Sequence, residues 1–328
     1  MSTEIPAKAH FIWFGTGLHW VHALSMISAA RRGGFDEVIL HHADDLTPAP
    51  AWPTLAAAQA RGELTLRPLD PEAILGAAGP HGPALVKLFE KLTQPAARAN
   101  MVRAALLYSE GGVYLDTDTI TVADLTPLRR QSTAFCGVER VVFPEHVKRS
   151  KNPLVQARAY AQTTMRDLMR RAPEGWRAFR RIEEAYPVAA NNAVLASTPE
   201  HPFVSGLLQA MIDLPEARQT VRFALGTHLL QQQLKAYSGA DMVVHPPEVF
   251  YPLGPEISEH WFRTVLPKAS WPVIGRAPAP DEVMTERTRV VHWYASVRTK
   301  KIVPQINPDY VRRHADHQLF SALAASFL

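Results

Sequence analysis

The chain has 328 residues, 47% of them hydrophobic, and a chain of that length can bury about three quarters of its unfolded surface without disulfides or a structural metal. Its one cysteine, Cys136, excludes an intramolecular disulfide and favours a reducing compartment, where it reads as a small buried hydrophobe. The net charge of +4 is scattered in small basic groups, so the pattern speaks against a nucleic-acid-binding surface and for a solvated basic face, except near Arg298.

No run approaches the roughly 18 to 20 apolar residues of a membrane-spanning helix, and residues 1–8 are too short and polar for a signal peptide. The expected location is the bacterial cytoplasm, with peripheral contact at the inner membrane surface allowed.

Taken in chain order, residues 9–14 form a buried strand ending at Gly15-Thr16-Gly17. Residues 21–32 suit a helix closed by Gly33-Gly34, and residues 37–41 a second strand. Strand, helix, strand predicts an α/β sheet with parallel strands. Residues 44–53 read as a loop, residues 64–69 as a third strand and residues 71–83, rich in Gly and Pro, as irregular. Residues 95–110 form a helix whose apolar face is Ala97, Met101, Val102, Ala105 and Leu106; Gly111-Gly112 ends it. Val113-Tyr114-Leu115 is a short strand that delivers Asp116, and residues 134–138 suit another. Residues 152–237 are mostly helical in pattern, residues 242–252 extended, residues 289–294 a last strand, and Leu319, Phe320, Leu323 and Phe327 mark a C-terminal helix. With no repeat or low-complexity linker, the expected organisation is a single domain over 1–328. It divides into a ligand-binding half at 1–140, a helical region at 150–240, and closing strands with a C-terminal helix at 241–328.

Asp116-Thr117-Asp118 places two carboxylates two residues apart at a strand end. Hard cations such as Mg²⁺ and Mn²⁺ take one or two carboxylates plus substrate phosphates, and the cation offsets charge on a diphosphate leaving group. An isolated Asp-x-Asp is more often a solvated turn. Here it follows a helix, a glycine pair and a strand, with Arg98 and Arg103 upstream as phosphate or sugar ligands.

Ala96-Ala97-Arg98-Ala99-Asn100-Met101-Val102-Arg103, Leu106-Leu107-Tyr108 and Gly111 to Asp118 together resemble the sugar-binding region, with its Asp-x-Asp motif, of glycosyltransferase family 32 and its capsule-type and toxin-type relatives. Ile5-Pro6 followed by His10 to Gly15 is similar to that family's first strand. The resemblance implies a GT-A-like fold: a central, mostly parallel sheet flanked by helices, with a helical insertion. It implies a UDP-sugar donor, Mn²⁺ or Mg²⁺, and transfer of a hexose or N-acetylhexosamine to an acceptor hydroxyl with retained configuration. On the same resemblance Trp13 and Phe14 line the uracil site, and Arg103 and Tyr114 contact sugar or ribose. Asp118 ligates the metal, while Asp116 contacts ribose or a metal-bound water. Asn191-Asn192 corresponds to an Asn near the donor sugar, with Asn192 in the catalytic set. His292 to Ser296 resembles a closing segment over the diphosphate, to which Ser296, Arg298 and Lys300 contribute.

Where the family has Ser-Asp this chain has Ala99-Asn100; Asn loses the charge and gains a donor, which bears on which sugar is bound. His292, with Asp116 and Asp118, completes a metal set, because a C-terminal His meeting a central Asp suits a metal site. Each residue also has a plainer role: Trp13 and Tyr114 as core aromatics, His292 as a structural histidine, Asn191 and Asn192 as helix caps, and Ser296, Arg298 and Lys300 as a surface loop. A sugar-nucleotide-binding pseudoenzyme or a basic binding module is the main alternative. A haloacid-dehalogenase-like phosphatase fits less well, since that motif belongs near the start of a domain. The acceptor is not specified by the sequence, and the helical region around 152–237 is the expected acceptor side.

Overall fold

The computed structural model describes residues 4–219, 224–264, 279–297 and 299–328. The chain separates into two compact units: Met1–Thr117, Thr121–Gly137 and Ala190–His245 form the first, and Asp118–Ile120, Val138–Ala189 and Pro246–Leu328 the second.

The first unit is built on β1 (Lys8–Trp13), β2 (Glu37–His42), β3 (Thr65–Pro68) and β4 (Gly112–Leu115). With β5 (Thr119–Thr121), β6 (Ala134–Arg140), β7 (Val188–Ser197) and β8 (Met242–His245) numbered along the chain, the seven-stranded sheet runs β3-β2-β1-β4-β7-β6-β8. β1 pairs parallel with β2, His10 opposite Ile39, and parallel with β4, His10 opposite Tyr114; β4 pairs antiparallel with β7, Leu115 opposite Val194. The four central residues of both β1 and β2 are buried, as expected of parallel strands covered on both faces. This is the α/β, mostly parallel architecture that the opening strand, helix and strand predict.

The Trp20–Arg32 helix connects β1 to β2. The Pro95–Ser109 helix buries Met101, Val102, Ala105 and Leu106 and packs against the Pro202–Ile212 helix. Gly111 and Gly112 follow it at φ 67 and 102. A Cβ on Gly112 would lie 2.8 Å from the Lys8 carbonyl, so only glycine lets β4 start this close to β1. Cys136 is fully buried, and burial pushes its thiol up to about 12.

Three stretches differ from what their residues suggest; of residues 242–252, expected to be extended, only β8 is strand, and Pro247–Phe250 is a short helix. Residues 71–83 are not irregular: Pro71–Gly76 and Gly82–Lys91 are helices. Their prolines sit in the first turn, where the missing N–H costs nothing, and Asp70 caps Ala73 N at 3.0 Å. Within the stretch of helical pattern, β7 is a ten-residue strand; its Ala-rich sequence carries no alternation that would announce it.

In the second unit, β5 pairs with β9 (Val290–His292) as a two-stranded sheet. Its core gathers Trp261, Trp293 and Phe320, with the Trp293 and Phe320 rings 5.6 Å apart. The Pro153–Arg171 helix is the longest element among the described residues. Among those residues, no helix is long and apolar enough to cross a membrane.

Candidate functional site

In the first unit the glycine pair and β4 set Asp116 at the strand end, where its N–H donates to Ala193 O at 2.9 Å. Arg103 comes from the Pro95–Ser109 helix and is 5% exposed, so its guanidinium lies inside the protein. Its Nη2 donates to Asp116 Oδ1 at 2.7 Å and its Nη1 to Asn192 O at 2.6 Å. The guanidinium carbon also lies 3.9 Å from the Tyr114 ring centroid, a cation–π contact. The Tyr114 hydroxyl donates to the same Asp116 oxygen at 2.8 Å. Burial, together with the Asp116 charge, raises the Tyr114 hydroxyl far above its ordinary range, so it stays a donor. Arg103, Tyr114 and Asp116 therefore form one rigid group.

Asn192 extends it: its Nδ2 donates to Asn100 Oδ1 at 2.9 Å. The two amides, with Arg103, Met211, Leu225 and Gly226, line a cavity with room for about one water. Asn191 and Asn192 lie on β7 rather than capping a helix; Asn191 Oδ1 accepts from Ala193 N at 2.7 Å.

Trp13 ends β1, half-buried, with its ring 5.0 Å from that of His22. Its Nε1 has no partner among the described residues. Phe14 packs on the main apolar core of this unit. Arg98 is not brought to Arg103 and Asp116: its Nε donates to Leu92 O at 2.7 Å and its guanidinium covers Phe89 at 4.8 Å.

Thr117 is held by its carbonyl, which accepts from Ser25 Oγ at 2.6 Å and meets His22 Nδ1 at 3.1 Å. Neither His22 nor Ser25 is among the site residues expected from the sequence. A signal is present all the same: His22, Ser25 and Ser28 recur every three residues on a buried helix face, and a buried polar stripe needs partners.

In the second unit, Asp118 sits beside β5 and His292 ends β9. Asp118 Oδ1 and His292 Nε2 are 3.0 Å apart, with side chains 15% and 8% exposed. Asp118 Oδ2 accepts from Ala295 N at 2.8 Å, and Asp118 O from Trp293 N at 3.0 Å. The residue between, Tyr294, has φ 58, a left-handed conformation uncommon for an aromatic residue. It is held there by its hydroxyl donating to Glu139 at 2.7 Å and its carbonyl accepting from Thr299 Oγ1 at 2.9 Å. A carboxylate and an imidazole this close and this buried fit a shared divalent cation. Ser296 and Lys300 are exposed in the following turn; Arg298 lies outside the described residues.

Residues 70–135 match the family described as "Glycosyltransferase sugar-binding region containing DXD motif". The match takes in the Pro95–Ser109 helix, the glycine pair, β4 and Asp116-Thr117-Asp118, which is the DXD of this chain. The motif pattern of this stretch is thus that of a glycosyltransferase-type sugar-binding region. No curated protein matches the chain. Among solved structures it is similar to the PaToxG glycosyltransferase, at 16% identity over 71% of this chain and 70% of that one, TM-score 0.43. It is similar to the UDP-bound glycosyltransferase domain from the YGT toxin, at 11% identity over 64% of this chain and 62% of that one, less than two thirds of its length, TM-score 0.33. It is also similar to the galactosyltransferase LgtC in complex with donor and acceptor sugar analogs, at 13% identity over 97% and 95%, TM-score 0.40.

Proposed function

We propose that the chain is a metal-dependent, retaining glycosyltransferase that moves a hexose or N-acetylhexosamine from a UDP-sugar to an acceptor hydroxyl. The observation that carries this is the DXD of the matched region, whose second carboxylate is paired with His292 at 3.0 Å. A bound Mn²⁺ or Mg²⁺ would offset charge on the leaving diphosphate. Asp118 and His292 are its proposed ligands, with Asp116 facing either the ribose or a metal-bound water.

Arg103 and Tyr114 hold the Asp116 carboxylate in one orientation, which pre-organises it for the donor. Asn100 and Asn192 are assigned to the donor sugar, Trp13 and Phe14 to the uracil, and Ser296, Arg298 and Lys300 to the diphosphate. The bond from C1 of the sugar to the phosphate oxygen breaks as the bond to the acceptor oxygen forms. The acceptor's proton passes to the leaving phosphate, and positive charge spreads over the ring.

The test is UDP release from a panel of UDP-sugars with Mn²⁺, with and without added acceptors, beside calorimetric UDP binding. Metal-dependent release supports the transferase. Metal-dependent UDP binding with no release from any donor assigns a sugar-nucleotide-binding protein instead. Neither binding nor release rejects both.

A further inference from the structure

The Pro153–Arg171 helix has its polarity reversed. A helix on a globular protein normally turns an apolar stripe inward and charges outward. Here the inward side, apart from Val155, Ala159 and Met169, is a polar network. Arg166 pairs with Glu256 and, at 2.7 Å, with Asp167; Arg170 meets Glu259 at 3.5 Å. Gln156 donates to Val147 O at 2.8 Å and Gln162 to Ala185 O at 2.7 Å. Ala159 is the one buried residue of the helix.

The outward side is apolar. Leu154 is 77% exposed, Tyr160 65%, Met165 45% and Leu168 66%, four of the seven large exposed hydrophobics among the described residues. Ala157, Ala161 and Thr164 fill the gaps between them. Leu154, Ala161 and Leu168 recur every seven residues, with Met165 four after Ala161, so they share one face. An apolar face of this kind on an otherwise polar helix marks an interaction site.

Charge decides what covers it. The exposed positions of the helix include Arg158 and Arg171 and no acidic residue. Exposed Lys148, Arg149 and Lys151 precede its N-terminal end. The helix's one acid, Asp167, is bound to Arg166 and Arg170. A second copy of the chain packed on this face would set basic groups against basic groups: Lys151 against Arg171 if antiparallel, Lys151 against Lys151 if parallel. An anionic bilayer presents no such conflict. An apolar face with basic residues at its margins is the pattern of a helix lying in the headgroup plane. Arginine stems can bury along it while the guanidinium stays in water.

We propose that the outward face of the Pro153–Arg171 helix docks on an anionic lipid bilayer, with Leu154, Met165 and Leu168 inserted and Arg171 and Lys151 at the phosphates, while Arg158 stays bound to Ala185 O at 2.9 Å. The helix is about 28 Å long at 1.5 Å per residue. This surface is independent of the donor chemistry; a chain that releases no UDP can still bind vesicles.

The experiment is flotation of the full chain with vesicles of phosphatidylglycerol and phosphatidylcholine, against phosphatidylcholine alone, with sedimentation equilibrium in parallel. Binding to the anionic vesicles that falls with salt is expected. Leu154→Ser with Leu168→Ser should weaken it by about tenfold or more while leaving the melting temperature in place, because neither side chain packs inside. Lys151→Gln and Arg171→Gln should each weaken it by about fivefold. The proposal is overturned by equal binding to both vesicle types, by no binding at low salt, or by serine variants that bind like the wild type. A dimer that the serine variants dissociate, with no vesicle binding, would assign the face to a second copy.

Discussion

The Arg103 guanidinium is buried between the Asp116 carboxylate and the Asn192 carbonyl, at 2.7 and 2.6 Å, and its flat face lies on Tyr114. It is a planar fork that meets two acceptors and one ring at once, and lysine cannot reproduce that geometry. Arg103→Lys keeps the charge but loses one acceptor and the stacking. It is expected to lower stability by about 2 kcal/mol and to weaken donor binding by about tenfold or more. Denaturant melts and calorimetry with UDP read the two effects separately. Unchanged UDP affinity would show that Arg103 only supports the fold.

Asp118→Asn keeps the size of the side chain and an oxygen that can accept from Ala295 N, so the loop should hold its shape. What is lost is the charge beside His292. The expected result is loss of Mn²⁺-dependent UDP binding, with circular dichroism and melting near those of the wild type. His292→Gln should raise the Mn²⁺ concentration needed without removing the dependence. Wild-type metal dependence in Asp118→Asn would sink the proposed ligand set.

The group around Asp116 is partly legible in the sequence, and the reasons differ by residue. Asp116-Thr117-Asp118 stands out because the helix, glycine pair and strand before it are local, and each has a strong signal. The Arg103–Asp116 pair depends on how helix and strand pack, which no periodicity encodes. Arg98 has the same chemistry as Arg103, but the helix turns it onto Phe89 and Leu92 O. β7 is hidden because its Ala- and Asn-rich run lacks the β-branched alternation that marks a half-buried strand. The helices Pro71–Gly76 and Gly82–Lys91 are hidden because proline, a breaker inside a helix, here starts one. The short β5–β9 pairing joins residues 119–121 to residues 290–292, a separation that only the folded chain closes.

A second buried pair gives a pH prediction. His10 Nε2 faces Gly111 O at 3.0 Å, so it carries the proton. His10 Nδ1 is then the acceptor, and His41 Nε2 donates to it at 3.1 Å. Burial pushes His10 down to about 4 and His41 down to about 3, the latter helped by His10 itself. Both are neutral in the fold and take up protons near their ordinary 6.5 when unfolded. The unfolded chain therefore binds more protons below pH 6.5, and stability falls as pH drops from there toward 4. For His10 the loss by about pH 4 is about 3 kcal/mol. Melting temperature measured from about pH 7.5 to about 4.5 should fall, and less steeply in His41→Gln, whose amide can still donate to His10. A flat profile in the wild type would remove this assignment.

Asn100 tests the role proposed for the amide pair in choosing the donor sugar. Asn192 Nδ2 donates to Asn100 Oδ1, and a carboxylate can accept the same bond. Asn100→Asp should therefore fold, keep that contact, and change only charge and the second donor. The other side of Asn100 meets Gly226, where a Cβ would lie 2.8 Å from Asn100 Nδ2 and 3.2 Å from Asn192 Nδ2. Gly226→Ala should push the amide pair out of position and cost about 1 to 3 kcal/mol through overpacking. The two variants act differently on specificity. Asn100→Asp is expected to change the order of preference across a UDP-sugar panel at near-wild-type stability, while Gly226→Ala should lower affinity for all donors alike. Thermal shift and UDP release across the panel distinguish them. An unchanged order of preference in Asn100→Asp would remove this residue from sugar recognition and leave it a structural partner of Asn192.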